Sequence, residues 1–444
     1  MSAPAAPPPE RAEPLRRELS RIALFALALN GVVGAGVFAL PATAAVHVGA
    51  WSPFVFLACG LLVAALMASL AQAASYFQST GGPVLYTTTA FGPFAGFQTG
   101  WVLYVGRITS LAANGNLCAT YLGLYLPGAD TGLARIAVLA VLCGTFAALN
   151  IVGVKEGIRS VLAISVAKFL PLLLFVGLGL AHLDLEPFRA ARTPTYGELS
   201  SAALIVFYAF IGFEGALVPA GESRDPRRDL PRALFLTAGG VTALYVLVQL
   251  VCVCTLPDLA HTERPLARSA ELMIGVAGAA ILTFGALMSV LGNFAAAVLA
   301  APRLTYALAR DGALPRCFGY VHPRTQTPIV SIALYATLGF ALGAYGTFGE
   351  LAVMSSIARL LGYLACLATL PRLARRFGKA PGALRLPGGL AIPLAAFAMC
   401  AWLVAQASWT ALAHTGLLVL FGSVLYGLAN LRSRRRSTPA PTTR

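Results

Sequence analysis

The stretch ALNGVVGAGVFALP, residues 28–41, lies in the middle of the first strongly apolar segment of the chain. Gly31, Gly34 and Gly36, with Pro41 close behind, are poor material for a helix interior, where each glycine costs roughly 1 kcal/mol against alanine. The flanks, RIALFALAL before and ATAAVHVGAW after, otherwise read as one membrane-spanning helix. A spanning helix that carries its own breaker at mid-depth needs a reason.

The rest of the composition fixes the setting. The chain has 444 residues, of which 58% are hydrophobic and only 11% charged. A soluble domain carries about 25% charged residues. Apolar runs of about 18 residues or more recur along almost the whole length, the mark of transmembrane helices. They predict an all-α integral membrane protein of about twelve spans: 22–47, 52–77, 93–125, 133–152, 159–181, 199–221, 232–256, 270–301, 328–346, 349–371, 388–411 and 413–431.

The net charge of +15 would suit nucleic acid, but its placement reads as topology. Lys and Arg crowd into the N-terminal tail, VGVKEGIRS, ESRDPRRDLPR, the connection after the eighth span, PRLARRFGKAPGALR and the C-terminal tail. The opposite face holds Arg135, Arg189, Arg192, Arg264 and Arg268. With the N-terminus inside, this asymmetry satisfies the positive-inside rule and puts both termini in the cytoplasm. The lipid bilayer is the expected partner and nucleic acid is not. Short loops and an Ala- and Arg-rich composition suggest a bacterial inner membrane. Residues 1–20 read as a disordered tail and 432–444 as a basic tail. ALPATAA mildly resembles a cleavage site, but the apolar stretch is too long and further spans follow. Eight scattered cysteines, with only a CVC at Cys252 and Cys254, indicate neither a disulfide framework nor a metal site.

The sixth span answers the first. It reads SSAALIVFYAFIGFEGALVPAGES, with Gly212 and Gly215 bracketing Phe213 and Glu214, and Pro219 a turn later. Breaks in corresponding places, five helices apart, point to an inverted-repeat transporter with its substrate between them. The repeats would be helices one to five (21–181) and six to ten (199–371), leaving 388–431 outside. Unwound backbone at that depth is tolerated only if buried in protein or lining a watery cavity. A helix that stops leaves carbonyls for an ammonium, and the half-helix that restarts offers N–H groups to a carboxylate. A zwitterion matches both. Gly92, Gly96 and Gly100, repeating every four residues in GGPVLYTTTAFGPFAGFQTGW, read instead as close helix packing.

These residues carry a family resemblance. GVVGAGVFALP resembles the first-helix signature of the amino acid–polyamine–organocation permeases. FYAFIGFEGALVPAGESRDPRRDLPRAL is similar to their sixth helix and the loop after it. GGPVLYTTTAFGPFAGFQTGW is similar to their second loop and third helix, and APRLTYALARDGALP to the end of their eighth. The resemblance runs in order from residue 22 to about 370. It implies the leucine-transporter-like 5+5 fold with discontinuous helices one and six, and alternating access for amino acids or related amines.

By that resemblance Gly34, Ala35 and Gly36 match the carboxylate-binding turn, and Val33 beside them is expected to bind substrate as well. Phe210, Ile211 and Gly212 match the unwound part of helix six, whose carbonyls take the substrate amine. Tyr208 falls where relatives place an aromatic that closes over substrate; some relatives have tryptophan there.

Ionisable groups inside spans are functional candidates by default. Lys168, in SVAKFLPLLLFV, sits about mid-span in helix five and resembles the lysine that replaces a sodium ion in proton-coupled relatives. A proton is therefore the expected coupling ion in preference to sodium, and no other cofactor is expected. The alternative for Lys168 is a side chain snorkelling from the inner end. Glu214 is a proton carrier, a tie to amides near the break, or the partner of a buried arginine. Arg107 and Arg359, each near the middle of its span, either pair with Glu214 or helix carbonyls, or face the cavity. If Arg107 faces the cavity, anionic substrates gain plausibility. Asn114, Asn116 and Asn293 read as interhelical hydrogen-bond formers.

No enzyme is indicated. The histidines (His47, His182, His261, His322 and His414) sit at span ends or in loops, and no HExxH, G-x-S-x-G or Walker A sequence occurs. The reading is secondary active transport of amino acids, with proton symport ahead of obligate exchange. A non-transporting membrane sensor stands behind both. Neither the substrate nor the oligomeric state is written in the sequence.

Overall fold

A computed structural model of the protein describes residues 20–77, 81–152, 158–218, 223, 225–378 and 383–437. The N-terminal tail, Pro219 and the last residues of the basic C-terminal tail lie outside the described residues. The described chain folds into seventeen helices. In order they are α1 (Arg21–Val32), α2 (Gly36–Val48), α3 (Ser52–Ser75), α4 (Gly82–Phe91), α5 (Pro93–Leu122) and α6 (Gly132–Val152). Then come α7 (Ile158–Gly179), α8 (Glu186–Arg189), α9 (Tyr196–Phe207), α10 (Glu214–Leu217), α11 (Pro226–Thr255) and α12 (Pro265–Ile274). The last are α13 (Val276–Arg310), α14 (Ile329–Tyr345), α15 (Phe348–Phe377), α16 (Ala391–Ala405) and α17 (Trp409–Ser437).

Seven helical segments among the described residues are long and apolar enough to cross a membrane, with three shorter apolar helices beside them. They differ in what surrounds them. The most apolar window of α15 is 72% buried, whereas those of α6 and α17 are 17% and 11% buried. Leu133, Val141 and Leu149 on α6 stand exposed, as do Leu417, Leu420, Phe421 and Val424 on α17. Helices apolar on the outside as well as the inside suit hydrocarbon, not water. The centre is α5 packed against α15 and α13, and α3 against α11.

Several expected boundaries move, the eighth span's at both ends. The eighth span, read as 270–301, is α13 at Val276–Arg310; Gly275, at φ +72°, separates it from α12. At the other end α13 runs through Pro302 to Arg310, past the expected edge at 301. The stop comes at Gly312 (φ +76°), where Ala313 N–H closes the helix end onto the Leu308 carbonyl at 2.8 Å. A left-handed glycine ends a helix more firmly than a proline that neighbouring helices support. The glycine packing expected between α4 and α5 is present: a Cβ on Gly96 would stand on Thr88 Oγ1, and one on Gly100 would lie 3.1 Å from Val84 Cγ2. Gly92 is instead a turn residue at φ +94°.

The feature that positions the site is a pair of interruptions. Between α1 and α2, Val33, Gly34 and Ala35 leave the helical path; α2 restarts with Phe38 N–H to the Ala35 carbonyl at 3.1 Å. After α9, a 3-10 turn at Tyr208–Phe210 leads into extended Ile211 and then Gly212 at φ +112°, before α10 begins. The two breaks touch. A Cβ on Gly212 would lie 2.1 Å from the Gly31 carbonyl oxygen, and one on Gly31 would lie 2.5 Å from that of Gly212. Gly36 presses on Ala209 in the same way, 2.7 Å from its Cα.

Candidate functional site

A cavity of about 350 Å³ lies against the breaks. That is the lower end of small-molecule pockets and suits a small solute. Leu27, Asn30 and Gly31 of α1 line it, with Arg107, Ser110, Leu111 and Asn114 of α5 and Ile164 and Lys168 of α7. Gly212, Glu214 and Gly215 contribute from the second break and Arg359 from α15. The wall from α13 is Gly292, Asn293, Ala296, Ala297, Leu299 and Ala300.

Lys168 does not snorkel. It is 2% exposed, and its ammonium donates to the carbonyls of Val33 at 2.8 Å and Asn30 at 3.2 Å. Those carbonyls stand at the C-terminal end of α1, Asn30 in its last turn and Val33 just beyond it, where the partial negative charge favours a cation. Tyr245 Oη donates to the Val32 carbonyl at 3.2 Å. The stranded carbonyls of the first half-helix are thus held by the protein's own side chains. Beside them, Asn30 and Ser165 bond to each other at 2.8 Å and tie α1 to α7. By contrast, the N–H groups of Gly34, Ala35 and Gly36 find no acceptor among the described residues. Asn293 packs over Gly34, its amide nitrogen 2.1 Å from where a Cβ would stand.

Glu214 takes two of the three roles open to it. Its Oε1 accepts from Arg359 Nε at 2.8 Å, and its Oε2 accepts from Tyr363 Oη at 2.6 Å and from Gly212 N–H at 2.9 Å. Arg359 also donates to the Gly106 carbonyl at 2.7 Å and to Ser355 Oγ, and Ser355 donates to the same carbonyl at 2.8 Å. Glu214 is 1% exposed and Arg359 5%. The cluster fastens α15 to the second break and to α5. Removing one member of such a buried pair strands the other charge and costs about 3–5 kcal/mol.

The two arginines therefore part company. Arg359 pairs with Glu214; Arg107, half-buried on the cavity wall, makes no ion pair or side-chain hydrogen bond among the described residues. It is near enough to Glu214 for their charges to interact.

Of the remaining expected residues, Gly212 lines the cavity, whereas Val33, Gly34, Ala35, Gly36, Tyr208, Phe210 and Ile211 are buried beside it. Tyr208 Oη lies 3.2 Å from Ser110 Oγ, and its ring meets Phe348 edge-on at 5.8 Å. Phe210 packs on Tyr245 at 5.1 Å and Phe56 at 6.4 Å. The interhelical role expected for three asparagines holds for Asn116, which donates to the Gly343 carbonyl at 3.1 Å and accepts from Arg135 at 2.9 Å. It fails for Asn114, which bonds within its own helix, to the Ser110 carbonyl at 2.7 Å. Asn114 and Asn293 are cavity residues instead. Sequence reasoning passed over Asn30, Ser110, Ser165 and Tyr363. Their only signal was polarity inside an apolar run, at one helical turn from Gly34, Arg107, Lys168 and Arg359 respectively.

Comparison with known proteins gives the family. A family model described as amino acid permease matches residues 19–422. The branched-chain amino acid permease of Bacillus subtilis is 26% identical over 436 residues, covering 93% of this chain and 93% of its own. An uncharacterized transporter of Mycobacterium tuberculosis is 30% identical over 438 residues, covering 95% and 93%. The methylthioribose transporter of Bacillus subtilis is 25% identical over 411 residues, covering 88% of each.

Proposed function

The chain belongs to the amino acid permease family and is a multi-pass membrane transporter, and from that premise we propose that it moves amino acids or related amines by proton-coupled symport. The observation that carries the coupling is the Lys168 ammonium seated on the Asn30 and Val33 carbonyls at the first break. A group there that gains and loses a proton alters how firmly α1 is held to α7, and so links protonation to the helix that borders the cavity. With those carbonyls already occupied by an ammonium, a proton suits the site better than a sodium ion.

The substrate reading rests on the breaks. The acceptorless N–H groups of Gly34, Ala35 and Gly36 stand at the start of α2 and suit a carboxylate. Val33 to Gly36 and Phe210 to Gly212 then bracket the zwitterion, with Tyr208 closing over it. The contact between Gly31 and Gly212 supports pairing the two breaks as counterparts in a 5+5 repeat, residues 21–181 and 199–371, within a twelve-span protein. We place it in a bacterial inner membrane with both termini cytoplasmic. In that orientation Leu27, Ile164 and Leu299 border the cavity on the cytoplasmic side, while buried Phe38, Tyr121 and Phe210 close the other side. The conformation is then inward-facing.

Uptake into liposomes driven by a pH gradient alone tests the coupling. Lys168→Ala is expected to abolish gradient-driven uptake while retaining exchange of substrate across the bilayer. Full gradient-driven uptake by that variant would sink proton coupling through Lys168. Uptake that requires internal substrate in the unmodified protein identifies an obligate exchanger.

A further inference from the structure

Each cation around the cavity except one has its charge answered. Lys168 has the Asn30 and Val33 carbonyls and Arg359 has Glu214. Arg107 has no carboxylate within 4.0 Å among the described residues, and Glu214, the acid near it, is already committed to Arg359, Tyr363 and Gly212. Around it the cavity is otherwise mostly apolar and small: Leu27, Leu111, Ala296, Ala297 and Ala300. A guanidinium taken from water into such a place without a counter-charge is costly, and a bound anion offsets that cost.

A second orphan stands on the same helix face. Asn114 is 6% exposed and lines the cavity, and its Oδ1 has no hydrogen-bond partner. Arg107, Ser110 and Asn114 follow one another at helical spacing, so α5 presents to the cavity a cation and, two turns further on, an open acceptor. An apolar side chain would satisfy neither group. A solute with a distal carboxylate and an ammonium satisfies both.

We propose that the cavity selects an acidic amino acid, whose side-chain carboxylate pairs with Arg107 and whose ammonium has Asn114 Oδ1 within its reach. Arg107 is then the residue that sets specificity. Its planar fork takes a carboxylate through two parallel N–H donors. Neutral substrates are rejected because they leave it desolvated and unpaired. This rests on the transporter reading above.

The test is counterflow by the full-length protein in liposomes, with L-glutamate and L-aspartate set against L-leucine, L-valine and L-glutamine. The unmodified protein is expected to exchange glutamate or aspartate and to resist competition by leucine. Arg107→Gln is expected to weaken acidic substrates by about ten- to a hundredfold, the loss of a charge-assisted pair, and to improve glutamine relative to glutamate. Arg107→Lys restores part of the preference. Leucine or valine exchange without acidic exchange overturns the proposal and leaves transport standing. Unchanged glutamate exchange in Arg107→Gln overturns it as well. No exchange of any amino acid or amine overturns the transporter reading itself. If the variants fail to fold, the substrate ranking of the unmodified protein decides.

Discussion

At Gly212 a single missing methyl group lets two interrupted helices meet. Its φ of +112° is closed to ordinary side chains, and the Gly31 carbonyl oxygen stands 2.1 Å from where a Cβ would be. The backbone strain alone is about 1–3 kcal/mol. Gly212→Ala should therefore lower the melting temperature of the detergent-purified protein by several degrees and abolish transport. Gly215→Ala, with open space at its Cβ position, should leave folding intact. An unchanged melting temperature for Gly212→Ala would disprove the contact. The sequence made Gly31, Gly34, Gly36 and Gly212 conspicuous because glycine inside an apolar run is anomalous. It said nothing of which glycine faces which, since that depends on the rotation of two helices about their axes. The same limit hid the choice of partner for Glu214. Arg107 and Arg359 both lie near mid-span, and only packing decides that Arg359 reaches the carboxylate.

Among the elements, α15 is the most enclosed, and its hold on the second break runs through Glu214, Arg359 and Tyr363. Arg359→Ala should destabilise by about 3–5 kcal/mol, because a buried carboxylate is left with too few donors. Joint replacement, Glu214→Leu with Arg359→Met, should cost less than either single change when followed by chemical or thermal unfolding. Additive losses would mean that the pair does not act as a unit. Element edges were the poorest part of the sequence reading. The start of α13 moved to Val276 and its end to Arg310, because Gly275 and Gly312 punctuate more strongly than Pro302. Other edges carry a capping signal that the apolar spacing alone passed over, since the sixth span was read from 199 and α9 opens at Tyr196. The α9 and α15 helices open with the same device, Thr195 with Glu198 and Thr347 with Glu350, each pair bonding reciprocally at a capping box.

On the scale of the whole molecule, the burial gradient from α15 out to α6 and α17 is the physical form of the hydrophobic composition. Composition and the charge pattern made the membrane class and the two interruptions legible. The cavity was not, because its walls come from six stretches of chain brought together only by packing. Orientation gives the final prediction. Cys317 is the exposed cysteine among the eight, so Cys317→Ser provides a quiet background for labelling. A membrane-impermeant maleimide should modify Ala300→Cys in inside-out vesicles and spare it in right-side-out ones. The reverse pattern would invert the assigned topology.

The ion pair between Glu214 and Arg359 also bears on descent. Either position altered alone leaves a bare charge at the centre of the protein, so neither is free to drift by itself. A lineage exchanging this pair for neutral residues passes through a crippled ancestor or changes both codons together. Positions facing the lipid on α6 and α17 carry no such bond and can wander singly among apolar residues. Two rates of change are thereby built into one chain, one set by a salt bridge and the other by oil.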